Sequence, residues 1–279
     1  MSVAHFTGLY TPATITQGFA LLHPGLYSAH PRCGFCSETL FAAYSSIAMQ
    51  DENNSPSQFL QLLQLADSAL PVGATAHSFG LETLVEIGVL QVPTLEDFLR
   101  DYLQETGTLE AVFCRTAYNL AVSAEIQSWL DLNIRLSAFK PAREVRVASA
   151  TLGRRYLHLV AGLGEWPLLT EAIAAAQKDE VETHHCTAFG LAGGVLGFTE
   201  EATALAYLQQ SIAGLVSACQ RLMPLGQSQA SHILWNLKPA MIEAVQQANV
   251  GVEEVACFNF LPDIGGMQHP MLATRLFIS

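Results

Sequence analysis

Positive charge is scarce in this sequence. Its 279 residues hold 13 Lys and Arg against 25 Asp and Glu, a formal net charge of −12. Such a chain projects no broad positive field of the kind that drives phosphate binding, which excludes nucleic acid as an expected partner. Charge of either sign is thin, at 14% of residues, while 50% are hydrophobic. With so little charge to cover its surface, the chain is expected to bury apolar area against another protein. Long hydrophobic runs are also missing, because Gly, Gln, Ser, Pro or His interrupts each uncharged stretch before ~18 to 20 apolar residues accumulate. No membrane span is expected. The first residues show neither a basic segment nor a clean apolar one, and Cys33, Cys36, Cys114, Cys186, Cys219 and Cys257 are scattered, which points to reduced thiols in the cytoplasm. Cys33-Gly-Phe-Cys36 has the C-x-x-C form without a second ligand pair nearby, so a metal or redox role is disfavoured.

Period-2 strand patterns with hairpin turns are absent as well, and from Ser57 onward the spacing is helical nearly throughout. Helices are expected near 78–89, 109–123, 127–138, 142–161, 166–176, 179–197, 200–222 and 227–248. A further one at "LEDFLRDYLQETG", capped by Thr94, carries the stripe Leu95, Phe98, Leu99, Tyr102 and Leu103. The expected fold is an all-α, single-domain bundle of roughly eight to ten helices. Residues 1–55 lack any period and end in the polar run "QDENNSPSQ", so they read as a poorly ordered extension, with Met49 a candidate native start. Residues 56–251 form the helical domain. Residues 252–279 contain Pro262, Gly265, Gly266 and Pro270 and cannot be one long helix, yet Met267, Met271, Leu272, Leu276 and Phe277 make them a docking tail for the bundle or a partner.

The candidate chemistry is sparse. His77 and Ser78 are neighbours in "LPVGATAHSFGLE" at 70–82, but no strand-turn-helix elbow surrounds them, and Ser78 reads as a helix N-cap. In "EVETHHC" at 180–186, Glu182 and His185 have the E-x-x-H spacing that shares a helical face, and His184 and Cys186 stand beside them. A di-metal bundle needs a second E-x-x-H, which the sequence lacks. The reading for the histidines is one packed between helices and one solvated, and the alternative is a metal-dependent helical hydrolase or oxidase using Glu182, His184 and His185. "GLAGGVLG" at 190–197 has no G-K-[ST] ending, so it holds no nucleotide; Gly190 with Gly194 and Gly193 with Gly197 leave two bare helix faces for close crossing. Arg143, Arg146, Arg154 and Arg155, with Arg135 upstream, either receive a carboxylate-rich partner or form a solvated face paired with Glu144.

Five segments, in order, resemble the urease accessory protein F family: "LLQLADSALPVGATAHSFGLE", "REVRVASATLGRRYLHL" at 143–159, "HHCTAFGLAGGVLG" at 184–197, "RLMPLGQSQASHIL" at 221–234 and "PDIGGMQHPMLATRLFIS". The resemblance covers about 58–279. It implies a non-enzymatic, dimeric, all-α scaffold that joins accessory protein D or H to the GTPase accessory protein G and delivers nickel to apo-urease. No tightly bound cofactor is implied, since nickel is handled by the complex, with a transient contact at His184 and His185 as a further reading. The resemblance places partner binding at Pro71, Gly73, Thr75, His269, Arg275, Leu276 and Phe277. Arg275 matches the Arg that helps recruit the GTPase, and its guanidinium can hold several carbonyls or a carboxylate at once. Thr75 stands where the family usually has an aromatic ring, which Phe79 is expected to supply or a different arrangement to replace.

Overall fold

The computed structural model describes residues 55–279; the Cys33–Cys36 pair, Met49 and the expectation of a poorly ordered extension lie outside them. The described residues contain helices and turns and no strand, as the sequence pattern requires. In order they form α1 (Pro56–Leu65), α2 (Leu81–Glu86), α3 (Leu95–Tyr102), α4 (Thr108–Val122), α5 (Ile126–Ala138), α6 (Arg143–Ala161), α7 (Pro167–Lys178), α8 (His185–Val195), α9 (Glu200–Leu222), α10 (Gln227–Asn236), α11 (Lys238–Gln247) and α12 (Phe260–Gln268).

Local chemistry explains several boundaries. Ser55 Oγ accepts the Gln58 N–H and Gln58 returns a bond to the Ser55 N–H, a capping box that starts α1 with Pro56 at its first position. Thr199 caps α9 in the same sense, with Glu200 and Glu201 facing the positive end of the helix dipole. Thr94 does not cap α3: its hydroxyl bonds back to Gln91. The stripe it precedes is buried as expected, with Leu95, Leu99 and Leu103 fully inside. Between α3 and α4 the backbone stays wound through a wider π turn, Leu103–Gly107, so the two expected helices run on as one. The expected 227–248 helix divides at Leu237, where Pro239 enters the first turn of α11 and cannot donate to the preceding turn.

The core is organised around α8, whose residues from His185 to Gly193 are all buried. It packs against α4, α6 and α9. The glycines make this possible. A Cβ on Gly190 would stand 2.0 Å from the Cys114 carbonyl oxygen of α4, and one on Gly193 would stand 2.4 Å from Thr203 of α9. Gly194 shares the first face, against Ala121 and Tyr118 of α4, so Gly190 and Gly194 pair as expected; Gly193 meets α9 without Gly197, which lies past the helix end at φ +73°. Beside α8, Lys140 Nζ lies 2.6 Å from Glu110 Oε1 and the Tyr207 hydroxyl donates to Glu110 Oε2 at 2.8 Å. Burial pulls the Lys140 ammonium down, but several raising effects, led by the adjacent Glu110 charge and including its hydrogen bond, together outweigh it and the net shift is upward. Cys114, Cys186 and Cys219 are buried free thiols whose burial raises them, which keeps them protonated.

Two glycines separate propensity from packing. Ala is the better helix former by ~1 kcal/mol, whereas overpacking a core costs typically ~1–3 kcal/mol. Gly190→Ala drives a methyl into backbone and is expected to destabilise the chain by about 1–3 kcal/mol. Gly214→Ala in α9, where a Cβ meets nothing within 4 Å, is expected to stabilise it by up to ~1 kcal/mol. Urea unfolding of the two variants gives both signs.

Candidate functional site

The charge-free loop that precedes α2 and the tail that follows α12 form one structure. Gly73 and Gly80 sit at φ +88°, where an L side chain is strained. At Gly80 the reason is contact: an added Cβ would lie 2.6 Å from the Pro262 carbonyl oxygen and 2.7 Å from Gly266 N. From the other side, a Cβ on Gly265 would lie 2.6 Å from the Gly80 carbonyl oxygen. Bare backbone on both segments thus lets α12 close onto the start of α2, and this brings the carboxylate of Glu82 within reach of the tail.

Glu82 is buried, and it is crowded with donors. Its Oε1 accepts the Leu276 N–H at 2.5 Å, and its Oε2 accepts the Phe277 N–H at 3.1 Å and faces His269 Nε2 at 2.8 Å. Burial pushes this carboxyl up; the Leu276 amide, the His269 ring and the Phe277 amide together outweigh that, and the net shift is downward. His269 is fully buried, and its Nδ1 lies 2.7 Å from Glu144 Oε2. A ring flanked by two carboxylates donates to both when it carries both protons. Glu144 Oε1 in turn accepts Arg275 Nη1 at 3.2 Å. A chain of paired polar groups therefore runs from Glu82 of α2 through His269 of the tail to Glu144 of α6 and back to Arg275.

The last residues add to it. The Ile278 N–H donates to the Ala76 carbonyl at 2.8 Å, and the Ser279 carbonyl oxygen accepts Ser78 N at 2.5 Å, Phe79 N at 3.2 Å and the Ser78 hydroxyl at 2.9 Å. Ser279 Oγ lies 2.8 Å from His77 Nδ1. Burial, aided by Arg155, lowers the pKa of His77. Arg221 stacks its guanidinium 4.2 Å from the centre of the buried Phe277 ring and donates to the Thr75 carbonyl at 2.6 Å. Met267, Met271, Leu276 and Ile278 of the same tail remain exposed.

The expected site residues thus fall into two groups. His269, Arg275, Leu276, Phe277 and Thr75 meet in one clamp, with Gly73 and exposed Pro71 in the loop that carries it. Leu276 and Arg275 point to solvent, while Phe277 is the tail's buried anchor. Phe79 is half-buried, with its ring 5.9 Å from that of His77 and φ +52°. Ser78 does not cap α2, whose N-cap is Gly80; its hydroxyl serves Ser279, and it receives the Glu82 N–H at a long 3.4 Å. Glu82 and Arg221 went unmarked in the sequence. The one available signal for Glu82 was its place as the first charge after the neutral stretch.

The second group, Glu182, His184 and His185, departs from expectation. The helix begins at His185, with His184 as its N-cap, so Glu182 precedes it and E-x-x-H does not share a helical face. Both histidines are buried, not one. His184 Nε2 lies 2.8 Å from Ser137 Oγ and its Nδ1 3.2 Å from Ser149 Oγ, while Glu182 meets Ser137 and Arg146. Burial first, then Lys140 and Arg146, lowers His184 to about 3. Burial and Lys140, opposed by Glu110, take His185 to about 4, its ring set among Tyr156, Phe189 and Tyr207. Among the described residues no three His, Cys, Asp or Glu side chains gather as a metal site, and no helix is long and apolar enough to cross a membrane.

Fold and site together define an all-α protein that folds its own tail into a structured, partly apolar surface. The UreF family model matches residues 89–238. The chain is 34% identical over 224 residues to the urease accessory protein UreF of Nostoc sp., covering 79% of this chain and 96% of that protein. It is 30% identical over 233 residues to that of Haemophilus influenzae strain PittGG, covering 82% and 99% respectively. The chain belongs to the UreF family of urease accessory proteins.

A depressed carboxyl contributes stability above its ordinary range and loses it as pH falls through its folded value. Protection of the Leu276 and Phe277 amides against hydrogen exchange, taken relative to the intrinsic rate at each pH, is therefore expected to be high at neutral pH and to fall on acidification below the usual carboxylate range. Glu82→Gln replaces a charged acceptor and should speed their exchange about tenfold or more at neutral pH. Unchanged protection in that variant would show that the clamp does not hold the tail.

Proposed function

We propose that this chain is a non-enzymatic scaffold for urease maturation, which dimerises in the cytoplasm and joins accessory protein D or H to the GTPase accessory protein G, so that nickel, as cargo, reaches apo-urease. One observation carries the reading: a chain poor in cations holds Arg275 at the surface on a tail locked by Glu82, His269 and Glu144. A guanidinium fixed in this way has most of its donors free for a partner's carbonyls or carboxylates, with little side-chain entropy left to lose on binding. The exposed Leu276, Met271 and Met267 beside it give the same surface apolar area to bury. Thr75 supplies its carbonyl to Arg221 instead of an aromatic ring to the partner, so recruitment rests on Arg275 and its apolar neighbours.

Nickel contact at His184 and His185 belongs to this reading as a separate step, and it requires the two buried rings to open. Co-purification with both partner proteins tests the scaffold: a chain that neither dimerises nor retains either partner contradicts it. Arg275→Ala is expected to lower capture of the GTPase about tenfold or more, in line with loss of a charged hydrogen-bonding group at an interface, while helicity and capture of the D or H protein stay unchanged. Undiminished GTPase capture would remove Arg275 from the role.

A further inference from the structure

Beside the clamp, α6 and the tail enclose a groove of about 820 Å³ whose walls include Arg143, Val147 and Arg155 on one side and Met267, Pro270 and Ile278 on the other. Its apolar members are left in water, with Val147 47%, Met267 50% and Ile278 67% exposed. Its cations are equally unspent. Six of the chain's Lys and Arg residues form ion pairs among the described residues, namely Arg100, Arg115, Arg135, Lys140, Arg146 and Arg275. Arg143 and Arg155 form none, although acids outnumber bases 25 to 13. Arg155 gives one bond to the Val72 carbonyl at 3.3 Å. Glu144, the acidic side chain on the groove wall, is already taken by His269 and Arg275; the main-chain oxygen of Ser279, also on the wall, is held by Ser78 and Phe79; and His77 beside it is disfavoured from charging by burial and by Arg155. Two guanidinium groups thus flank an apolar floor, and among the described residues that line it no acidic side chain is free to answer them.

We propose that this groove is a docking site for a short extended protein segment that carries carboxylates at both ends and apolar side chains between them. Arg143 and Arg155 are separated by twelve residues of one helix, about 18 Å at ~1.5 Å per residue. An extended chain rises ~3.3 Å per residue, so about five or six residues span that distance. Carboxylates at the ends each meet a guanidinium able to bind them in bidentate fashion. Apolar side chains between them cover Val147, Met267 and Ile278. The net charge of −12 argues for isolated carboxylates over a phosphate polymer, whose dense charge the rest of the molecule repels.

The test uses the full chain and a fluorescein-labelled peptide, acetyl-Glu-Glu-Leu-Val-Leu-Val-Glu-Glu-amide, read by fluorescence anisotropy. Saturable binding is expected, weakened about tenfold or more in R143E/R155E at unchanged helicity and weakened by added salt. Counterparts with Lys for Glu, or Ser for Leu and Val, are expected not to bind. Equal binding by R143E/R155E, or no saturable binding of the acidic apolar peptide, overturns the proposal. So does a result in which the peptide fails and R143E/R155E converts a dimer to a monomer, because the occupant is then a second copy. Neither partner protein is present in the assay, so its failure leaves the scaffold reading standing.

Discussion

One buried carboxylate, that of Glu82, receives two main-chain N–H groups and a histidine ring from residues nearly two hundred positions away. Everything at the proposed recruiting surface hangs from it. If the carboxylate were absent, the Leu276 and Phe277 amides and one nitrogen of His269 would lose their partners, and unpaired buried polar groups cost about 1–3 kcal/mol each. That weighs heavily on a short tail whose remaining anchors are the Phe277 ring beneath Arg221, the contacts of His269 and Arg275 with Glu144, and the bonds of Ile278 and Ser279. The sign of the charge matters as well. An ionised carboxylate accepts all three donors at once, and its lowered pKa is the thermodynamic image of that arrangement.

The clamp is possible because bare backbone precedes it. Gly80 and Gly265 approach so closely that neither tolerates a Cβ, and their contact sets the separation between α2 and α12 that places Glu82 opposite His269. Deeper in the molecule the same device recurs, with Gly190 and Gly193 seating α8 against α4 and α9. Close backbone approach gives a rigid frame without large side chains, and a rigid frame is what allows exposed Arg275 to hold one orientation. The sequence of cause runs from glycine to helix spacing, from helix spacing to a carboxylate with three donors, and from there to a presented guanidinium.

Much of this was legible in the residues. The helical periodicity from Ser57, the buried stripe of α3 and the two-faced glycine pattern of α8 each follow from spacing, which local chemistry dictates. The boundaries that moved did so for local reasons with weak sequence signals: a π turn that fuses α3 to α4, and Pro239 at the start of α11. The E-x-x-H spacing misled because it assumes a helix that in fact begins at His185. The clamp was only partly legible. His269, Arg275 and Phe277 were marked through family resemblance, but the pairing of Glu82 with them is a contact across the whole fold, and no periodicity reports such a contact. Arg221 was hidden for the same reason, and the groove between Arg143 and Arg155 requires the tail to be seen in place.

The central claim is that a docked tail, more than Arg275 by itself, makes the recruiting surface. The most direct measurement is the affinity of full-length Glu82→Gln, with Arg275 intact, for the GTPase accessory protein. Loss comparable to removal of the guanidinium is the predicted result. Binding equal to the unaltered chain, in a variant whose tail amides exchange freely, would contradict it.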